Sequence, residues 1–534
     1  MNIVISDLAF QYPNQNSLFE HISFSVEKQE KVSITGNNGT GKSTLLQLIA
    51  GKLQPSEGSI VSGSVPYYIP QHTGFSGKTV AELMHVDKKL AALNAIMKGS
   101  VAQADYDILA DDWDIESKCI AALSYWQLEY VTPCMPVDNL SGGEKTKAFL
   151  AGLLLHQPDI ILMDEPTNHI DMTGRELLYR YICQTKATMI IVSHDVALLN
   201  QLHTTYELNE QGIKRYGGNY SFYRAQKEIE TNALNDSIHE EEKALRIARK
   251  QAQETKQRQE RRSARADQKK AQGGMPRIIS NALGNAAENT AAKLKDKHAG
   301  IIISSQEKLT GLQQQKERLK KMKIDFDNTS LHSGKLLVEA KNINFAYPQG
   351  EVLWDAPLDF KLYSNDRIHL SGDNGSGKTT FVNLLTGILV PVSGEIKRIS
   401  FSWIYLDQNY TQVDVDCTVE QLAEKYNTQH LQEHEVKIRL NRFMFSADSW
   451  GKNCCSLSGG EKMRLYLCCL MIANQNPDLI ILDEPTNNLD ISSMQILTQT
   501  IGNFHGSLLV ISHDKYFVNE IGITGSLSLP LYHK

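Results

Sequence analysis

Four motifs occur twice in this chain, in the same order. Gly36-Asn-Asn-Gly-Thr-Gly-Lys-Ser43 returns as Gly372-Asp-Asn-Gly-Ser-Gly-Lys-Thr379, and Leu140-Ser-Gly-Gly-Glu-Lys145 as Leu457-Ser-Gly-Gly-Glu-Lys462. Met163-Asp-Glu-Pro-Thr-Asn168 returns as Leu482-Asp-Glu-Pro-Thr-Asn487, and Val192-Ser-His-Asp195 as Ile511-Ser-His-Asp514. The offset is 336 residues at the first motif and 317 to 319 at the others. The two copies are therefore collinear apart from roughly twenty extra residues in the first. Those residues can be placed, because Thr79 lies 62 residues before Ser141 whereas its match Thr418 lies only 40 before Ser458. The insertion falls in a helical stretch between about Met84 and Leu128. At 534 residues the chain is too long for one hydrophobic core. The repeat predicts three regions: 1–224, 225–335 and 336–534.

Both copies carry the chemistry of phosphate binding. Lys31–Thr35 reads as a short strand, and Thr44–Ala50 as a helix after it, which is the setting a P-loop needs. Gly36, Gly39 and Gly41 let the backbone of Asn37, Asn38 and Thr40 turn its N–H groups toward an anion at the helix N-terminus. Lys42 then reaches the outer phosphates, Ser43 is placed for Mg²⁺, and Thr44 continues the site. The second copy repeats this with strand Arg367–Ser371 and Gly372, Asp373, Asn374, Gly375, Ser376, Gly377, Lys378, Thr379 and Thr380. A flexible glycine turn is the bland alternative for a lone match, and the recurrence weighs against it.

Pro158–Asp164 and Pro477–Asp483 are apolar runs that end in a carboxylate, as expected of a central parallel strand covered on both faces. Ligands in such sheets sit beyond the carboxyl ends of the strands. There Asp164 and Asp483 suit Mg²⁺, and Glu165 and Glu484 are the candidates to orient the attacking water. His194 and His513 follow apolar strands, each 29 residues after its glutamate, and read as sensors of the γ-phosphate.

Leu-Ser-Gly-Gly-Glu, together with these motifs, resembles the ABC ATPase family over about 420 of the 534 residues. The resemblance implies an α/β fold of two P-loop cassettes, each with a mixed sheet and a helical subdomain. It implies that Ser141, Gly142, Gly143 and Ser458, Gly459, Gly460 contact ATP held by the opposite cassette. It makes Gln71 and Gln408 the Q-loop residues, able to reach Mg²⁺, and Asp171 and Asp490 the D-loop carboxylates. Tyr12 and Tyr347 would stack on adenine, with Phe10 and Phe345 as alternatives. ATP and Mg²⁺ are the expected cofactors, and both sites are expected to hydrolyse.

The segment between the copies narrows the resemblance. Tyr216-Gly-Gly-Asn-Tyr-Ser-Phe-Tyr223 leads into a proline-free stretch from Arg224 to Met275, with Leu234, Ile238, Leu245, Ala248 and Ala252 at heptad-like spacing. Gly273-Gly-Met-Pro-Arg277 breaks it, and Leu309, Leu312, Leu319, Met322 and Phe326 form the stripe of a second helix. This predicts a helical hairpin with a basic tip. A 45-residue helix there would be roughly 65–70 Å long. The formal charge is −6 overall, yet the window from Arg246 to Lys297 carries +9 and leaves −15 elsewhere. Such concentration marks a polyanion contact, with Arg258, Arg261, Arg262, Arg265, Lys269, Lys270 and Arg277 as candidates.

Tandem cassettes, the Tyr-Gly-Gly-Asn-Tyr-Ser exit and the basic hairpin together resemble the ABC-F subfamily. That resemblance implies a monomer that closes on ATP and binds the ribosomal E site. It also implies a linker extended toward the peptidyl-transferase centre or the P-site tRNA. The length of the intercassette segment leans toward ribosome protection against antibiotics. A housekeeping translation factor and a transporter ATPase are the alternatives, and a hairpin that only spaces the cassettes is the bland one. The insertion matches the family's arm, in a short form. The eight cysteines show no zinc or iron–sulfur spacing. The N-terminus lacks a basic head and an apolar stretch, no run approaches 18 apolar residues, and about twenty residues follow His513. A cytoplasmic protein without membrane subunits or C-terminal extension is expected.

Overall fold

The computed structural model describes the chain apart from residues 1, 14–16, 72–76, 210–211, 272–298, 313–333, 349–351, 408–409, 474–476, 488 and 530–534. The side chains of 259, 260, 262–264 and 266–271 also lie outside the described set. The chain divides into two compact units, Met1–Ser221 with Met322–Lys534, and Phe222–Lys321.

In the first copy, β1 (Ile3–Gln11) lies between β2 (Ser17–Val26) and β4 (Glu57–Ser62) in an antiparallel sheet. A second sheet runs β5 (Tyr67–Ile69), β6 (Ile160–Asp164), β7 (Thr188–Val192), β3 (Lys31–Thr35), β8 (Thr204–Asn209), β9 (Gly212–Tyr216). Its first five strands are parallel and β9 pairs antiparallel. Every residue of β6 and β7 is buried, as their continuous apolar sequences require of strands covered on both faces. Helix α1 (Lys42–Ile49) follows β3, with Leu45, Leu46, Leu48 and Ile49 in the core.

The stretch that holds the extra residues forms short helices. After α2 (Val80–Leu83) come α3 (Asp87–Met97), α4 (Gln103–Leu109) and α5 (Ile115–Tyr125), before α6 (Gly142–His156). Leu109, Leu123 and Trp126 are fully buried there, so the insertion has an apolar interior and is not a loop. Helices α7 (Met172–Gln184) and α8 (Val196–Leu199) complete the copy.

The second copy repeats the plan. β10 (Leu336–Asn344) lies between β11 (Leu358–Tyr363) and β13 (Ser393–Arg398). The parallel sheet runs β14 (Trp403–Leu406), β15 (Leu479–Asp483), β16 (Ser507–Ile511), β12 (Arg367–Ser371), β17 (Gly525–Ser528). Its helices are α11 (Lys378–Thr386), α12 (Val419–Lys425), α13 (Glu433–Arg442), α14 (Ala447–Trp450), α15 (Gly459–Ile472), α16 (Ile491–Gly502) and α17 (Lys515–Glu520). The shared strand order brings the ends of β3, β6 and β7, and of β12, β15 and β16, to one edge of each sheet.

The described part of the other unit is a pair of packed helices. α9 (Tyr220–Ala271) has 52 residues, roughly 78 Å at 1.5 Å per residue. It starts inside the Tyr-Ser-Phe-Tyr exit, four residues before the expected Arg224. Helix α10 (299–312) packs against it through Ile238, Leu245 and Leu309, flanked by Leu234, Ile302 and Leu312. Arg249 donates to Gln306 Oε1 at 2.9 Å, and Lys308 lies 3.9 Å from Glu241. Residue numbers thus rise on α9 as they fall on α10, so the pair is antiparallel. The three buried aliphatics contribute roughly 1.5–3 kcal/mol each. The tip at 273–285 and Leu319, Met322 and Phe326 lie outside the described residues. Among the described residues no helix is long and apolar enough to cross a membrane.

Candidate active site

Each P-loop is fixed by glycine geometry. Gly41 and Gly377 precede α1 and α11 with φ of 89° and 87°, a left-handed backbone that side-chain-bearing residues rarely adopt. Lys42 Nζ donates to the carbonyls of Gly36 (2.7 Å) and Asn37 (2.9 Å), and Lys378 to those of Gly372 (2.7 Å) and Asp373 (3.0 Å). Burial lowers both lysines from their usual range. The loop fold is also braced within itself, where Thr40 Oγ1 donates to Asn37 O at 2.9 Å.

Asp164 and Asp483 end their strands beside these loops. Thr379 Oγ1 donates to Asp483 Oδ2 at 3.2 Å, and the Ser43 hydroxyl bonds Asp164. Asp164 Oδ1 is buried with no hydrogen-bond partner among the described residues. A hydroxyl beside a carboxylate with a spare buried oxygen is a donor set that fits Mg²⁺. Sequence reasoning missed one member of this group. Tyr405 Oη donates to Asp483 Oδ2 at 2.7 Å, and Tyr68 Oη to Asp164 Oδ2 at 3.5 Å. The available signal was positional, since each tyrosine stands three residues before Gln71 or Gln408.

Glu165 and Glu484 occupy the left-handed region, with φ of 50° and 47°. Their N–H groups donate to Val192 O and Ile511 O, each at 2.8 Å. That bond keeps the strand edge paired while the strained turn aims the carboxylate. His194 Nε2 lies 3.3 Å from Glu165 Oε1, and His513 Nε2 lies 3.3 Å from Glu484 Oε1. The backbone N–H groups of His194 and His513 donate to the other oxygen, at 3.1 and 3.3 Å. Burial pushes Glu165 up to about 8, with the Asp164 charge adding to it. It pushes Glu484 up to about 7, where Arg175 and Lys378 oppose the rise. Both histidines are driven down to about 3 by burial and by the neighbouring lysine, so each is neutral.

Ser141 and Ser458 are the N-caps of α6 and α15. Each accepts from the N–H of the glutamate three residues on, Glu144 or Glu461, and each glutamate reaches back to the serine N–H at 2.7 or 2.8 Å. Gly142 and Gly459 open these helices. Gly143 is required by contact, because a Cβ there would lie 2.4 Å from His169 O and 3.2 Å from Asn374 Nδ2. Asn374 belongs to the P-loop of the other copy. The two cassettes therefore meet face to face.

Further bonds cross that face. Asn374 Nδ2 donates to His169 O at 3.0 Å, and Thr173 Oγ1 to Asp373 Oδ1 at 3.3 Å. In the other direction the Asn38 N–H donates to Asp490 Oδ2 at 3.3 Å. Asp171, the counterpart of Asp490, is held instead by Lys147 at 3.0 Å in a buried ion pair.

Tyr12 Oη bonds Thr44 Oγ1 at 3.0 Å and Tyr347 Oη bonds Thr380 Oγ1 at 2.8 Å. Phe10 and Phe345 are buried and brace these tyrosines edge-on, so in each pair the tyrosine is the more exposed ring. Gln71 is exposed just past β5, and Gln408 lies outside the described residues. Arg258, Arg261 and Arg265 are exposed on α9. Arg262, Lys269 and Lys270 lie on α9 with side chains outside the described set, and Arg277 lies wholly outside it.

Residues 19–168 and 356–487 match the ABC transporter family. ABC transporter F family member 5 of Arabidopsis thaliana is 30% identical over 95% of this chain and 72% of its own length. The chain is a member of the ABC-F family of ATP-binding cassette proteins. As such it is an ATPase that binds nucleotide in two cassettes. Ribosome protection protein VmlR of Bacillus subtilis is 27% identical over 97% of this chain and 85% of its own length. The fold also resembles archaeal ribosome recycling factor aABCE1, solved with ribosomal stalk protein aP1. There the TM-score is 0.57 at 19% identity, covering 97% of this chain and 86% of that one. This ABC-F chain is thus similar to a protein named for ribosome protection.

Proposed function

We propose that this ABC-F protein closes on two ATP molecules, binds the ribosomal E site in that form, and acts through its basic hairpin near the peptidyl-transferase centre. On this reading it protects ribosomes against antibiotics bound there, in the cytoplasm. Arg258, Arg261 and Arg265 carry the ribosomal reading. Their spacing of three and four residues puts three exposed guanidinium groups on one face of α9, in a segment of concentrated positive charge that suits rRNA phosphates. The name of VmlR supports the protective role.

In each site Ser43 with Asp164, or Thr379 with Asp483, would hold Mg²⁺, with Gln71 and Gln408 reaching the same ion. When bound, that ion spreads the negative charge of the phosphate oxygens. Lys42 and Lys378 draw the outer phosphates in, and Ser141 and Ser458 offer donors from the facing cassette. Glu165 and Glu484 orient water, and neutral His194 and His513 hold those carboxylates in place. Hydrolysis removes the group both cassettes grip and lets the face open.

The Glu165→Gln, Glu484→Gln double variant should retain ATP and co-sediment with ribosomes in ATP but not without nucleotide. No ATP-dependent co-sedimentation would sink the ribosomal reading. If it co-sediments but expression of the native chain leaves antibiotic sensitivity unchanged, the translation-factor role replaces protection.

A further inference from the structure

The indole of Trp354 is fully buried beside the second P-loop, and its Nε1–H donates to Ser376 O at 3.0 Å. Asn344, also buried, clamps its backbone. The Asn344 Oδ1 accepts from the Trp354 N–H at 3.2 Å, and the Nδ2 donates to Trp354 O at 2.6 Å. The ring packs edge-on against Phe381 of α11, with centroids 6.2 Å apart. A carbonyl and the N–H that follows it lie on opposite sides of one planar trans peptide. A donor that holds Ser376 O toward the core therefore turns the Gly377 N–H the other way, to the side the loop offers an anion. Gly377, at φ 87°, has no side chain of its own to restrain that peptide.

The first cassette holds its loop differently. A Cβ on Gly41 would lie 3.0 Å from the Phe19 ring, and one on Gly377 would lie 3.3 Å from the Trp354 ring. The two rings thus occupy the same place beside their loops, but a phenyl ring has no N–H to give. Ala9 stands at the position of Asn344, and Leu45 at that of Phe381. The first loop is closed instead by Thr40 Oγ1, which donates to Asn37 O at 2.9 Å. The matching Ser376 Oγ is buried with no hydrogen-bond partner among the described residues. One loop is braced by its own side chain, the other by an indole beneath it.

We propose that Trp354 is a positioning residue for nucleotide binding at the second P-loop, where its indole N–H holds the Ser376–Gly377 peptide in the phosphate-binding orientation. The proposal rests on Lys378 and this loop drawing in the phosphates, the reading proposed for the site. The test uses full-length protein carrying Glu165→Gln, in which only the second site turns over. If Lys378→Ala leaves ATP turnover unchanged in this background, the site reading itself fails, before Trp354 is touched. Trp354→Phe installs the residue that the first cassette already uses, keeping an aromatic ring and removing the donor. It should raise KM for ATP roughly five- to tenfold, the worth of one hydrogen bond, with kcat within about twofold. Phe381→Leu likewise installs the first cassette's residue, but disturbs the packing of the indole without removing its N–H. It should keep KM within about twofold. In the Glu484→Gln background, where only the first site turns over, neither variant should move KM. An unchanged KM in Trp354→Phe, an equal rise in Phe381→Leu, or an equal rise at the first site would overturn it.

Discussion

Within each cassette the two nucleotide sites are alike. The His–Glu separation is 3.3 Å in both, the glutamates share a left-handed turn, and the lysines are tied to the same two loop carbonyls. Across the interface they differ. Asp490 reaches the first P-loop, whereas Asp171 is kept at home by Lys147, and Arg464, at the position of Lys147, donates to Met444 Sδ instead. The repeated motifs set the chemistry of a site. The residues just after the D-loop, Met172–Arg175 against Ile491–Met494, are where the copies diverge beside the interface.

The largest effect expected is on turnover. The double Gln variant should lose roughly 10²–10⁴-fold in phosphate release, and each single variant should leave the rate of the one intact site. Equal single-site rates would erase the difference drawn here. Next in size is stability. Asp171→Asn keeps the α7 cap but leaves Lys147 buried without its charge partner, at a cost of about 3–5 kcal/mol in denaturant unfolding. Asp490→Asn breaks no direct ion pair among the described residues, only a longer-range attraction to Arg464, and should cost about 1 kcal/mol. Similar losses would show that the two D-loops are held alike. The pH profile sharpens the contrast further. A carboxylate must be ionised to orient water, so single-site hydrolysis should rise with pH, through about 7 where Glu484 acts and about 8 where Glu165 acts. Coincident midpoints would count against the unequal fields. The smallest effect belongs to Lys515 and Glu176, 2.9 Å apart across the face but both more than half exposed. Lys515→Ala should change stability by less than about 1 kcal/mol.

Much of this was legible in the sequence, because the repeat exposes whatever both copies keep. Strands Lys31–Thr35 and Arg367–Ser371 fall where they were expected, and apolar strands Thr188–Val192 and Ser507–Ile511 do precede His194 and His513. The glycine loops stand between strand and helix, and the carboxylates end their strands, where the sequence put them. Aligning two copies is blind to what they do not share, and so Arg175 and the Lys147–Asp171 pair went unseen. Tyr68 and Tyr405 are shared, but a tyrosine in a strand reads as core until the fold brings its hydroxyl to an aspartate. Helix α9 begins earlier than expected because Tyr220, whose ring is buried, already belongs to its first turn.

Arg175, buried on α7 and bonded to Asp195 Oδ2 at 3.2 Å, bears on why the halves share one polypeptide. A pair of identical chains related by a twofold axis must present every residue of its interface twice. Such a dimer would bring two guanidinium groups to the seam between Asp195 and Asp514, or none. Covalent fusion lifts that symmetry constraint, so a positive charge can stand on one side of the seam with a methionine at the matching place on the other.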